Sequence, residues 1–523
     1  MKNTQGESKT ELRRDVTVWG SFMWGYADVG ADVYVALGLV MAAAQGAANL
    51  AFALAGLVYI MIGLAYTELA SAYPVAGGGQ YFTLRGLGDF WGFVAGCALL
   101  LDYTIDVALF AYASTGYINF FFPSIAKLSI SVGPFHGVNP VWALQTLGMI
   151  GFLIWLNIRG IRESSLLNEV LGIVDIVTES GIIVMGFLFA WKPELLVHQW
   201  TTQFPTLNNF LYGSSLAIIS YVGLESISQA AQETRRPATI IPRTSLSLIF
   251  TVFIFATAFS TLSLGVLPWQ VLAEAQANPV AKLASVIPYI GAFAGPFAAI
   301  LGATILLISS NTGVMGASRV TFSMSQLKLI SPWFNEVHAK FRTPVRTIIV
   351  FSGLGALQAA LAALTPRVLN TLGNMYAFGA SLGYTLVFIA LIKLRFSDPY
   401  TPRPFTMPLN LTFNRKGQKV KFPLLGAFGL LGVSTILFAV ILTHTIGRIA
   451  GPAWIIACLC YYAWYRRKNG MPVFRSIKRN WERDQIDILT SAEEYELVEV
   501  YKQALKERDE RAAKIVKHHG PAE

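Results

Sequence analysis

The sequence predicts an all-α membrane protein with twelve transmembrane helices. Three observations carry that prediction. Of 523 residues, 54% are hydrophobic and only 13% charged, with a mean hydropathy of +0.51. An ordinary soluble domain carries roughly 25% charged residues, so the polar material here is too scarce to cover two or three soluble domains. Apolar stretches of about 20 residues or more, the length a bilayer-crossing helix needs, recur twelve times along the chain. Basic residues are also divided unequally between the two sets of connecting segments. These features exclude a soluble enzyme, a disordered chain and a secreted disulfide scaffold. Cys97, Cys458 and Cys460 all lie inside apolar runs and provide no disulfide framework or zinc spacing.

The spans run near 17–43, 47–73, 90–122, 141–158, 166–191, 208–231, 244–267, 288–325, 346–364, 370–394, 423–444 and 447–465. Residues 1–16 are polar, and no small-residue cleavage pattern follows the first apolar run, so no signal peptide is expected. With the N-terminus inside, 21 lysines and arginines fall in inner segments ahead of the C-terminal tail. Five fall outside: Lys127, Lys192, Lys282, Arg367 and Arg448. The positive-inside rule then puts both termini in the cytoplasm of a multi-pass cell-membrane protein. The net charge of +10 is the same bias seen globally. Because these residues are spread over many inner loops, no nucleic-acid partner is expected. The chain divides into a cytoplasmic segment at 1–16, a transmembrane domain at 17–466 and a cytoplasmic tail at 467–523. In the tail, Ser491-Ala-Glu-Glu494 fits a capping box opening a polar helix. That helix reads as solvated or lying on the membrane surface, with a regulatory role as the alternative.

Two spans are interrupted alike. The first contains Tyr26-Ala-Asp28-Val29-Gly30-Ala31-Asp32 and the sixth Tyr221-Val222-Gly223-Leu224-Glu225, each with Val-Gly-x-acid inside an apolar run. Glycine weakens a helix, and an acid near mid-span costs about 2.5–3.5 kcal/mol on insertion scales. Matching breaks five spans apart argue for inverted repeats, about 17–191 and about 208–394, followed by two further helices at about 423–465. They also point to unwound backbone at Gly30 and Gly223 lining a transporter's binding site. Asp32 and Glu225 each follow a break, where capping a half-helix and contacting a ligand or coupling ion are both open readings. Asp28 precedes its break, where the helix dipole disfavours an anion, and is the sharper functional candidate.

Four more acids lie within spans. Asp102 and Asp106 in the third, and Asp175 and Glu179 in the fifth, have i, i+4 spacing and share a helix face. No intramembrane lysine matches them, so they must be protonated, water-facing or cation-bound. Glu68 and Glu233, near inner span ends, read as structural. The histidines at 136, 198, 338, 444, 518 and 519 stand apart from any Ser/Asp or metal-ligand pattern, so neither an enzyme nor a metal site nor a cofactor is expected.

Four segments together resemble amino acid–polyamine–organocation (APC) permeases. LAYTELASAYPVAGGGQYF at 64–82 is similar to the family's signature between helices 2 and 3, and YVGLESISQAAQETRRPATIIPR at 221–243 to its helix 6 and inner loop. NTGVMGASRVTFSMSQLKLI at 311–330, with Thr343-Pro344, resembles its helix 8, and LRFSDPYTPRPFTMP at 394–408 the end of its helix 10. The order holds from about residue 17 to 466. The resemblance implies the leucine-transporter-like 5+5 inverted repeat plus two helices, and secondary active transport. It places Gly30, Ala31 and Asp32, with Tyr221, Gly223 and Glu225, around the substrate, and Ser309 and Ser310 near a sodium-coordinating position. Two departures stand out. Asp32 occupies the last position of a break that usually reads small-small-Gly. Counting along helix 5 from Gly160, the position where many members carry a lysine is Asp175, which implies proton or sodium binding there in place of a fixed cation.

The leading expectation is a cation-coupled symporter of an amino acid or related amine, driven by protons or sodium. The second is a carrier of polyamines or potassium, since unpaired acids suit a cation. The third is a transporter-like sensor whose tail contacts a partner. Substrate identity and oligomeric state are not legible in the sequence.

Overall fold

The computed structural model describes residues 18–132, 135–159, 164–229, 231, 234, 236–338, 343–415 and 418–519. Twelve long helices dominate. With no water in a bilayer core to bond exposed peptide groups, a spanning segment must satisfy its backbone internally, and an apolar helix does so. Helix α1 covers 18–44 and is built from Val18–Val29, a 3₁₀ turn at Gly30–Asp32, and Val33–Ala44. There follow α2 (Ala48–Ala72), α3 (Asp89–Ile118), α4 (Pro140–Arg159), α5 (Ser164–Phe189) and α6 (Leu207–Gln229, interrupted). The second series is α7 (Pro237–Val266), α8 (Gly291–Gln326), α9 (Val345–Ala362), α10 (Val368–Ser397), α11 (Leu424–Thr443) and α12 (Gly447–Lys468).

Among the described residues, ten helical stretches are long and apolar enough to cross a membrane. The first, Val18–Ala72, folds back on itself at Gln45–Ala47 and so holds both α1 and α2. Helix α12 is not among the ten; it is diluted by Arg448, Arg466, Arg467 and Lys468. Large apolar side chains such as Leu144, Val177, Leu431 and Ile449 are exposed on the outer faces of α4, α5, α11 and α12, as lipid contact requires.

Helix α2 packs chiefly on α7 and α3 chiefly on α8, two pairs related by the same five-helix offset as the breaks. Two antiparallel hairpins lie between helices: β1 (Ile130–Val132) with β2 (Phe135–Val138), and β3 (Asn410–Arg415) with β4 (Gln418–Pro423). Neither was expected, although the alternation in NLTFNR and QKVKFP is a strand signal. The tail also departs from expectation. Ser491 closes a helix, α13 (Trp481–Ser491), and its hydroxyl donates to the Ile488 carbonyl. It therefore caps nothing downstream, and α14 (Tyr495–His519) begins after it.

One face concentrates paired charge. Glu68 accepts from Arg395 Nε at 2.5 Å and Nη2 at 2.6 Å, and from the Met407 N–H at 2.9 Å, which is the structural role its position suggested. Glu233 and Gly160 lie outside the described residues. Asp398, just past α10, accepts from Arg85 Nη2 at 2.7 Å and Nε at 3.0 Å, from the Tyr73 hydroxyl at 3.0 Å and from Thr401 at 2.8 Å.

Burial pushes the Asp398 carboxyl up, but Arg85, Thr401 and Arg403 together outweigh it and hold the group below the ordinary carboxylate value. A depressed native pKa contributes stability that is fully present above the unfolded value of about 3.9 and lost as pH falls through the native one. Asp398→Asn is expected to lower stability by about 3 kcal/mol, since it leaves a buried Arg85 without its counter-charge. The measurement is thermal unfolding in detergent. The deficit relative to the unmodified chain should shrink once the pH is taken below about 4.

Candidate functional site

The two interrupted helices meet at the centre of the bundle, and the interruptions are of different kinds. In α6 the chain leaves helix altogether. After Leu207–Ala217 it tightens into a 3₁₀ turn at Ile218–Tyr221, extends at Val222 (φ −85°, ψ 151°), passes through Gly223 at φ +112° and re-enters a helix at Glu225. Only glycine adopts that φ without strain. In α1 the expected unwinding at Gly30 is not seen. Val29 and Asp32 keep right-handed helical angles, and Gly30–Asp32 is a single 3₁₀ turn. The physical reason is local: a turn can be tightened without an extended residue, and nothing at 29–33 requires positive φ. The two interruptions touch. A Cβ on Gly223 would sit 2.9 Å from the Asp28 carboxyl carbon and 2.9 Å from a Val29 methyl.

Around this contact lie five carboxyl groups: Asp28 and Asp32 from α1, Asp102 and Asp106 from α3, and Glu225 from α6. All are buried, none more than 2% exposed, and their charges lie within interaction range of one another. Asp28 Oδ1 accepts from the Thr312 hydroxyl of α8. Glu225 Oε2 accepts from the Gly223 N–H at 3.2 Å and from the Tyr384 hydroxyl of α10 at 2.8 Å. Among the described residues, seven oxygens accept no hydrogen bond from a protein N–H or hydroxyl group: Asp28 Oδ2, both of Asp32, both of Asp102, Asp106 Oδ1 and Glu225 Oε1; Asp102 and Glu225 lie close enough to share a proton. So many buried acceptors cannot all be ionised without a cation or protons among them.

The capping alternatives separate here. Asp32 forms no cap hydrogen bond to Val33–Ala44, so that reading does not hold for it. Glu225 does accept a free backbone N–H at the α6 break while leaving its second oxygen bare. Ala31 is buried in the 3₁₀ turn. Tyr221 commits its hydroxyl to the Phe52 carbonyl at 2.9 Å and stacks on Tyr59 at 5.0 Å, so it presents no free polar atom to the cluster. The serines part company. Ser309 Oγ donates to the Asp28 main-chain carbonyl at 3.3 Å, whereas Ser310 Oγ donates to the Val107 carbonyl of α3 at 3.0 Å.

A second acidic pair stands apart from the five. Tyr26 donates to Glu179 Oε2 at 2.7 Å and to Asp175 Oδ2 at 3.2 Å, and Tyr34 donates to Asp175 Oδ1 at 2.7 Å. These tyrosines flank the 3₁₀ turn of α1, one on each side, so both halves of α1 are tied to the α5 pair. Glu179 Oε1 has no hydrogen-bond partner among the described residues, and Glu179 lines a small pocket with Tyr26, Gly30, Ser220 and Phe255.

Thr312, Tyr384 and Tyr26 belong to these clusters and were missed from sequence. Hydroxyl-bearing residues are common in apolar helices, and nothing local distinguishes these three. Thr312 lies three residues beyond Ser309, on the same face of α8, which is the one signal available.

Comparison with known proteins places this geometry in context. Residues 17–464 match the family model described as amino acid permease. A branched-chain amino acid permease of Bacillus subtilis is 25% identical over 77% of this chain and 85% of its own length. A vacuolar cationic amino acid transporter of Arabidopsis thaliana is 28% identical over 71% of this chain, an alignment spanning 61% of that protein. A methylthioribose transporter of Bacillus subtilis is 26% identical over 78% of this chain and 86% of its own length.

Proposed function

The chain belongs to the amino acid permease family, and on that premise we propose that it carries a positively charged amino acid or related amine across the cell membrane, coupled to protons. Members of this family are multi-pass membrane transporters, not enzymes. The observation that carries the charge preference is the set of five buried carboxyl groups at the junction of α1 and α6, seven of whose oxygens accept no hydrogen bond from an N–H or hydroxyl group of the described residues. A substrate ammonium would neutralise them by charge-assisted hydrogen bonds, while an acidic side chain would meet like charge in a low dielectric. The Arabidopsis relative, a cationic amino acid transporter by name, agrees with this preference.

Protons suit the α5 pair. The Asp175–Glu179 carboxyls are bridged by one tyrosine hydroxyl and clamped by another, so adding or removing a proton changes how firmly both halves of α1 are held. The sodium reading is less well supported, because Ser310 spends its hydroxyl on α3. The same carboxyl cluster supports the second reading, a carrier of polyamines or potassium, and competition experiments separate the two.

Uptake into proteoliposomes should be inhibited by lysine, arginine or simple amines at least tenfold more effectively than by glutamate. Asp32→Gly should shift the preference toward neutral amino acids. Strong glutamate uptake, or rubidium uptake that no amino acid inhibits, would overturn the proposal. Asp175→Asn should retain substrate binding and lose accumulation against a gradient when a proton gradient is imposed; undiminished accumulation would remove Asp175 from coupling. Both termini are proposed to be cytoplasmic, from the charge asymmetry of the loops. Single cysteines replacing the exposed Lys192 and Lys478 should then label from opposite sides of the membrane, and labelling from one side would reverse that assignment.

A further inference from the structure

The C-terminal segment after α12 leaves most of α14 exposed, as its polar sequence suggests, but its earlier part is docked on the bundle. It reaches the ends of four transmembrane helices. At α3, the Asp89 carboxylate takes Arg466 Nη1 at 3.1 Å, the Ile477 N–H at 3.0 Å and Arg479, while the Asp89 N–H donates to Ser476 Oγ at 3.0 Å. At the end of α8, Arg479 Nη2 donates to the Leu327 carbonyl at 2.9 Å. At the end of α2, the buried Gln485 donates Nε2 to the Ala72 carbonyl at 2.9 Å. At the start of α7, Glu494 Oε1 accepts the Ala238 N–H at 3.1 Å. Each is the polarity that helix end requires: an acceptor for orphan N–H groups and a donor for orphan carbonyls. Helix α7 has no side-chain cap of its own, because Arg236 at its N-cap supplies none. Glu494 does so from more than 250 positions away in sequence. Leu489, Ala492 and Tyr501 of the same segment are buried.

The four helix ends are two from each packed pair, α2 with α7 and α3 with α8. The carboxyl cluster draws on α1 and α6 together with α3, and it touches α8 through Thr312. In a carrier built from repeats, access alternates when one packed unit rocks against the other around a fixed site. For the site to open on the face that bears the tail, Ala72 and Ala238 must part from Asp89 and Leu327. A single segment bonded to all four cannot follow both.

We propose that residues 469–519 form a latch that clamps the α2–α7 pair to the α3–α8 pair on this face, so that the carrier opens there only when the Gln485 and Glu494 contacts release. This rests on the transport reading, and it goes beyond it in assigning the tail a gating role. The latch is built to let go at α2 and α7. There its buried contacts are one amide and one carboxylate, joined by an exposed Arg236–Glu496 pair at 3.9 Å, whereas at α3 it is held by the Arg479 guanidinium and two backbone contacts around a buried aspartate that Arg466 of α12 also binds.

The test uses the full chain with Cys97, Cys458 and Cys460 replaced, carrying Ala72→Cys and Gln485→Cys joined by a short, reducible bifunctional thiol reagent. With the reagent in place, uptake should fall at least tenfold while substrate still binds, and reduction should restore uptake. Uptake at the unjoined rate with the tail covalently held would overturn the latch. The reduced sample of the same variant shows whether the protein is folded and active. A second variant, Gln485→Ala with Glu494→Ala, should speed uptake about threefold or more, with substrate selectivity unchanged. An unaltered rate in stably folded protein would count equally against the proposal. Absence of any uptake by the unmodified protein would refute the transport reading instead.

Discussion

The structure turns on the burial of carboxyl groups that have no counter-charge among the described residues. Asp28, Asp32, Asp102, Asp106 and Glu225 meet at the contact between the α1 turn and the α6 break, each at most 2% exposed. An isolated ionised carboxylate is costly to desolvate, and neighbouring ones raise that cost for each other. Such an arrangement persists only if something in the working cycle neutralises it. The helices around it are shaped accordingly. The α6 backbone opens at Gly223 to offer an N–H to Glu225, and α8 lends Thr312 to Asp28. The other carboxyl oxygens lie within interaction range of one another.

Charge is handled in the opposite way on the tail-bearing face. There, Glu68 has Arg395, Asp398 has Arg85, and Asp89 has Arg466 and Arg479. A buried pair gains little over an apolar substitute, but breaking it is strongly destabilising. These pairs therefore favour one arrangement of the helix ends. The contrast between a satisfied perimeter and an unsatisfied centre agrees with the function proposed above, in which the centre responds to what binds and the perimeter holds position.

The α5 acids connect to that responsive part through α1. Tyr26 and Tyr34 lie on either side of the Gly30–Asp32 turn and both reach Asp175, while Tyr117 holds the Tyr34 carbonyl at 2.9 Å. A 3₁₀ turn has poorer hydrogen-bond geometry than an α-helix and is a natural place for a helix to flex. The proposed coupling runs along these contacts, from the α5 carboxyls to the two halves of α1 and through Asp28 to the cluster.

Membrane class, span positions and the two interruptions were determined by the sequence alone. A bilayer demands long apolar helices, and a plain spanning helix has no use for Val-Gly-x-acid inside its apolar run. The acids of the cluster were legible for the same reason, because each is conspicuous against its apolar neighbours. Only the tertiary structure decided which acids stand together: i, i+4 spacing sets a helix face, yet the five-carboxyl cluster and the separate Asp175–Glu179 pair depend on how α1, α3, α5 and α6 pack. It also decided that α1 tightens where α6 opens, that Ser309 and Ser310 diverge, and that Tyr221 turns to α2. The tail shows the limit most plainly. Its polar sequence reads as solvated because hydrophobic pattern reports burial of side-chain surface, whereas its docking comes from single polar groups meeting orphan backbone atoms at distant helix ends. No local pattern encodes those meetings; only folding brings Glu494 to Ala238 and Gln485 to Ala72.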